Sequence, residues 1–248
     1  MKTLKHLSHF RSYRSLCGSA PSEKAYQVVL EQSDLYIVCS KDLRSLILDR
    51  LSIVRRDIKG YIMLHPDFAT SLVPVEVRVD APEIVRAMAG AARLFGVGPM
   101  AAVAGAISQE IADHASKIIP DILVENGGDI FIHSSIDRVV GLLPHPEEPV
   151  ALGIKIYKEE TPGSVCSSSA TIGHSLSLGQ GDLVTVRAGS GAVADAAATA
   201  LCNMLNSRKS LRKIKELRPE LQKKGVTGVL AQLGEEVIVW GNMELTMV

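Results

Sequence analysis

Hydrophobic and polar positions change period several times along this 248-residue chain, and each change predicts an element. The runs "AYQVVLEQ" and "DLYIVCS" are β-rich with a short polar link, "SD", between them, which predicts a hairpin. From Lys41 the period lengthens. Leu43, Leu46, Ile47, Leu51 and Val54 recur at helical spacing, so an amphipathic helix is expected to about Lys59, with Pro66 disfavouring helix at His65. "VPVEVRVD" (73–80) alternates strictly and predicts a strand. Two helices are expected over Pro82–Phe95 and from Pro99 to about Ser116, joined by "GVG", with Pro99 suited to the first helical position.

The segment "DILVENGGDIFIH" reads as strand, sharp turn and strand, with a glycine pair where φ can turn positive. "RVVGLLP" and "ALGIKIY" predict two more strands. Residues 163–188 predict a polar loop feeding a strand at Asp182–Arg187. An alanine-rich helix follows "GSG" and runs to about Asn206. A basic helix over Arg208–Leu217 and strands near Val226–Gln232 and Glu236–Trp240 close the chain. The mixture predicts an α+β fold in a single domain over residues 1–248. Mixed or antiparallel sheets would pack against helices rich in small residues, with a polar, basic arm over residues 1–25.

Composition narrows the function classes. Apolar residues make up 46%, which fits a packed globular chain. Lys+Arg and Asp+Glu both number 27, which argues against a broad nucleic-acid surface. Cys17, Cys39, Cys166 and Cys202 form no C-x-x-C pair, so a reducing, cytoplasmic setting is expected rather than a disulfide framework or zinc site. The N-terminus lacks a continuous apolar stretch and does not read as a secretory signal. The most membrane-like segment, Ala81 to Ala115, is interrupted by Glu83, Arg86, Arg93, Glu110 and Asp113, so no membrane span is expected.

Four segments carry candidate chemistry. In "AVADAAATAL" (192–201), Asp195 and Thr199 lie four apart on an otherwise apolar helix that looks buried all round. A buried carboxylate needs a partner, and hard cations such as Mg²⁺ take oxygen ligands, so the two oxygens suit a metal. Equally, Asp195 can serve the dipole of its own helix while Thr199 bonds back to the backbone. In "VENGGDIFI", Gly127 and Gly128 would let a ligand approach the backbone between Asn126 and Asp129, or would simply turn a hairpin.

"VCSSSATIGHSLSLGQGD" (165–182) offers Ser167, Ser168, Ser169, His174 and Ser175 to an anion, or forms a polar surface loop. Cys166 with His174 is a thiol–base combination without a recognised protease signature. "GVGPMAAVAGA" places Pro99 and Met100 at a helix start whose N–H groups could receive an anion, or packs helices closely. Asp129 and His174 are the general-base candidates by side-chain type.

In that order, "VGPMAAVAGAI", "VENGGDIFI", "VCSSSATIGHSLSLGQGD" and "VADAAATALCN", with "RSYRSL" and "YIMLHPDFATSLVPV" upstream, closely resemble an uncharacterised prokaryotic protein family. That family resembles a branch of the ApbE-like superfamily, whose best-known members are FAD:protein FMN transferases. Those enzymes use Mg²⁺ to split FAD and attach FMN to a threonine of a partner protein. The resemblance implies an ApbE-like fold, with Asp195 and Thr199 holding Mg²⁺ and Asn126 to Asp129 lying against the nucleotide. Pro99 and Met100 stand at the place of a "KGYA" helix start, whose lysine is absent. Ser167 to Ala170 is the nearest counterpart of "SGDY", and only "GHSLS" stands near the place of "HIIDP".

The implied function is a Mg²⁺-dependent enzyme acting on a flavin or another nucleotide or phosphate-bearing ligand. FAD is the implied substrate, with an acceptor protein as partner. The alternative is a non-catalytic binding protein of the same fold, holding a small anionic ligand or a protein partner. The small-residue helices also suit a homo-oligomer.

Overall fold

The computed structural model describes residues 22–142, 152–170 and 181–247. Its strands are β1 (Lys24–Leu30), β2 (Ser33–Cys39), β3 (Ile122–Asn126), β4 (Asp129–His133), β5 (Arg138–Leu142), β6 (Leu152–Ile156), β7 (Gly163–Ser168), β8 (Leu183–Ala188), β9 (Val226–Leu233), β10 (Glu236–Gly241) and β11 (Glu244–Met247). The α-helices are α1 (Arg44–Leu64), α2 (Asp67–Thr70), α3 (Glu83–Phe95), α4 (Val103–Ser116), α5 (Gly191–Met204), α6 (Arg208–Glu216) and α7 (Arg218–Lys223).

Eight strands form one sheet in the order β1-β2-β3-β4-β7-β8-β9-β10, each neighbour antiparallel. A three-stranded sheet, β11-β6-β5, covers one face of it. Alternation along each central strand divides the two faces. On β4, Phe131 packs with the helices while Ile130 and Ile132 pack toward the small sheet. On β8, Val184 and Val186 join the helical side and Leu183 the other. Both faces are therefore apolar, and the α+β architecture is a helical layer, a large antiparallel sheet and a small sheet.

The helical layer follows from its sequence. Helix α3 buries Ile84, Val85, Met88 and Ala92 along one stripe and ends at Gly96, whose φ of 72° is the left-handed stop that glycine adopts freely. Helix α5 is buried nearly all round, and small side chains let it lie against both the sheet and α4. Among the described residues no single helix is long and apolar enough to cross a membrane. The apolar pair formed by α3 and the Pro99–Ser116 segment is bent by 104°.

Several expectations are corrected. The first hairpin turns at Glu31–Gln32, where Glu31 has φ 52°, and the "SD" pair belongs to β2. Helix α1 continues to Leu64, five residues past Lys59, and stops where Pro66 forbids helix. β1 begins at Lys24, inside the expected arm, and residues 1–21 lie outside those described. "VPVEVRVD" forms no strand, because it crosses outside the helical layer with no sheet edge beside it. The expected polar loop begins with a strand, β7, since Val165 and Cys166 alternate into the two cores. α7 and β11 were not anticipated.

Candidate functional site

The helix α4 begins after a 3-10 turn, Pro99–Ala102, and its N-cap position is Ala102, which has no side chain able to cap it. The first N–H groups of the helix therefore need an acceptor from elsewhere. Asp195 supplies it from the second turn of α5. Its Oδ2 accepts from the Gly105 N–H at 2.9 Å, and its carboxylate also receives the Ala104 N–H. The relation is reciprocal, for Gln109 on α4 accepts the Gly191 N–H at the start of α5 through Oε1 at 2.8 Å. This exchange requires glycine at both crossing points. A Cβ on Gly105 would collide with the Gly191 carbonyl, and one on Gly191 with the Gly105 carbonyl.

The turn between β3 and β4 meets the same helix end. Gly127 and Gly128 have φ of 71° and 103°, and the Gly128 N–H donates to Glu125 Oε1 at 2.7 Å. Asn126 Nδ2 donates to the Ala104 carbonyl at 3.4 Å. Ser108 Oγ donates to the backbone carbonyl of Asp129 at 2.8 Å. Asp129 thus sits under α4 with its side chain on the helical face of the sheet. Cys166 lies directly across the ladder on β7.

Asp129 is buried, at 5% exposure. Its carboxylate accepts from the Cys166 thiol and the Ser167 backbone N–H, while its Oδ1 has no hydrogen-bond partner among the described residues. Burial foremost, then the negative charges of Asp195 and Glu125, push its carboxyl well above the usual carboxylate range. Asp195 is also buried, at 8%. Burial pushes it up too, against the pull of the Gly105 and Ala104 N–H groups. Two buried carboxyls, one from a sheet turn and one from a helix, therefore lie within electrostatic reach of each other, one of their oxygens having no partner among the described residues.

The remaining candidates fall into four groups. Thr199 lies one turn beyond Asp195, about 6 Å along α5, and is partly exposed. Pro99 is buried and Met100 packs against the helical core. Ser167 Oγ pairs with Thr185 Oγ1 at 2.9 Å on the small-sheet face, whereas the buried Ser168 Oγ has no hydrogen-bond partner among the described residues and Ser169 is buried beside the strand end. The Ala170 N–H donates to the Gly181 carbonyl at 2.9 Å, and Gly181 lies against Cys202 of α5 and Leu205 just beyond it. His174 and Ser175 lie outside the described residues.

Three readings are decided by these contacts. Of the two readings of the helix start at Pro99, an anion site or close helix packing, the packing is present where Gly105 meets Gly191, and the Ala104 and Gly105 N–H groups are occupied by Asp195. Asp195 serves the dipole of α4 rather than that of its own helix. Cys166 is fully buried and its thiol is pushed upward by burial and by the two carboxyls, which disfavours the thiolate that a nucleophile needs. Glu125 and Gln109 were not anticipated, nor was the contact of Cys166 with Asp129, because these partners are fixed only by the β3–β4 turn, the strand register and the α4–α5 crossing.

The sequence model of the family described as "AbpE bacteria" matches residues 18–239. The chain belongs to this family. Relatives include UPF0280 protein MJ1526 of Methanocaldococcus jannaschii, 40% identical over 195 residues, covering 76% of this chain and 78% of that one. UPF0280 protein MK0206 of Methanopyrus kandleri is 42% identical over 179 residues, covering 72% and 73%. Among solved structures, the apbe protein from Thermotoga maritima aligns with a TM-score of 0.57 at 14% identity, over 89% of this chain and 97% of that one. The flavin transferase ApbE from Vibrio cholerae aligns at 0.51 and 15%, with the same coverage. At such identities the two structures speak for the fold, which is ApbE-like.

Proposed function

We propose that this chain is a Mg²⁺-dependent enzyme acting on a flavin nucleotide or a similar phosphate-bearing ligand, with flavin transfer as the leading chemistry. The observation that carries this reading is the buried Asp129 carboxyl, whose Oδ1 has no hydrogen-bond partner among the described residues, within electrostatic reach of the buried Asp195 carboxyl. Burying two carboxyls side by side is unfavourable unless something neutralises them. A hard divalent cation fits that donor set, taking carboxylate oxygens from the protein and completing its shell with water and phosphate oxygens. Among the described residues no three His, Cys, Asp or Glu side chains form a ready-made metal cage.

Asp129 and Asp195 would hold the cation and Thr199 would add a hydroxyl. The bound cation would neutralise phosphate charge in the reaction. Asn126 and the Gly127–Gly128 backbone would position the nucleotide, and Ser168 would offer its unbonded hydroxyl. FAD is the first substrate to test because two solved structures of this fold are an ApbE flavin transferase and an apbe protein.

The test is incubation with FAD and Mg²⁺, following AMP release and flavin retention, with Asp129→Asn and Thr199→Val as comparisons. Metal-dependent AMP release lost in Asp129→Asn supports the reading. Absence of both binding and turnover for FAD and a panel of nucleotides would sink it. A second reading, a binding protein without turnover, is favoured by the structural duty that Asp195 already performs for α4 and by the missing lysine near Pro99. Flavin retention without AMP release would select it.

A further inference from the structure

The segment "VEVRV", Val75–Val79, has strand chemistry without a strand partner. It alternates apolar and charged residues, yet belongs to neither sheet. With α3 it borders an open groove of about 350 Å³. Val75 and Val77 are partly covered, but Val79 is 91% exposed, the most exposed of the large apolar side chains among the described residues. Arg78 lies within electrostatic reach of Tyr61, near the end of α1, where Met63 and Leu64 are also exposed. An apolar strip of this kind on a segment without helix or strand partners is what strand addition uses.

The order of its charges selects the occupant. Antiparallel pairing about a two-fold axis through Val77 sets Val75 opposite Val79 and Glu76 opposite Arg78. Both charge pairs are then attractive, and Val79 is covered. The segment is thus complementary to itself in one register, a property that two-fold assembly requires of a shared patch. The present partners do not oppose this. Arg78 pairs with Asp80 at 2.9 Å and Glu76 with Arg93 at 3.9 Å, all four side chains being well exposed, and such pairs exchange readily.

We propose that Val75–Val79 is the self-association edge of this protein, pairing antiparallel with the same segment of a second copy, Val77 against Val77. The proposal is independent of the cation site. It is tested on the full chain by sedimentation equilibrium, using Glu76→Arg, Arg78→Glu, their equimolar mixture and the double exchange.

Each single variant sets like charges opposite each other twice, so its dimer dissociation constant should rise about tenfold or more. In the mixture, one chain carries two arginines and the other two glutamates, so association should return as a heterodimer. The double exchange should restore the homodimer. Circular dichroism melts matching the wild type confirm that these exposed substitutions leave the fold intact. A wild-type chain that stays monomeric at tens of micromolar, single variants that associate as the wild type does, or a mixture that fails to associate would each overturn the proposal.

Discussion

The Asp195 carboxylate caps a helix that is not its own, taking the Gly105 N–H of α4 at 2.9 Å. Ala102 cannot cap α4, so Asp195→Ala is expected to destabilise the fold by about 1–2 kcal/mol. Asp195→Asn keeps an acceptor and should lose little, or gain above neutral pH. Thermal unfolding of both variants in EDTA distinguishes capping from ionisation.

Asp129→Asn should behave differently. It removes a buried ionisable group whose Oδ1 lacks a partner among the described residues, so the metal-free protein should be as stable as wild type or gain on the order of 1 kcal/mol. The same variant should lose the stabilisation that Mg²⁺ confers. A Mg²⁺-induced rise in melting temperature that survives Asp129→Asn would remove Asp129 from the proposed site.

The metal-free protein should weaken as pH rises. Both carboxyls hold protons more tightly folded than unfolded, so stability is greatest while they remain protonated. It declines from about pH 4, the ordinary carboxyl value, through about 7, to which burial pushes Asp195. Denaturant titrations from pH 4 to 8 in EDTA read this slope. Mg²⁺ should oppose it, with a stabilisation that grows toward pH 8 because the cation competes with protons for the same oxygens.

Gly105→Ala should be among the most damaging small substitutions in the chain. The new methyl would strike the Gly191 carbonyl, a backbone atom that cannot swing aside, and a loss of about 3 kcal/mol or more is expected. Gly90→Ala makes the control. It lies within α3, its Cβ would meet nothing within 4 Å, and it should stabilise by about 0.5–1 kcal/mol. Equal effects of the two substitutions in chemical denaturation would contradict the close crossing.

Much of this arrangement was legible in the chain. Leu43 to Val54 marked α1 by spacing, "NGGD" marked the β3–β4 turn, and the alanines of α5 marked a helix buried on all sides. What periodicity could not show was which strand lies beside which. Cys166 meets Asp129 only because β7 pairs with β4 in one register, with β5 and β6 intervening in the chain. Alternation likewise mistook Val73–Asp80 for a strand, since the pattern describes what a segment can pair with and not whether a partner is nearby.

The α4–α5 crossing also bears on the order in which ligands would arrive. The starts of both helices converge beside Asp195, each carrying roughly half a positive charge, in a region closed by backbone against backbone. Ordinarily such ends would draw phosphate directly. Here the Asp195 carboxylate already occupies the start of α4 and Asp129 lies within electrostatic reach of it, and once ionised the two outweigh the helix ends. A phosphate coming alone meets net repulsion, whereas a cation is attracted and reverses the sign. Binding is therefore expected to be sequential, the cation entering first and the nucleotide following it.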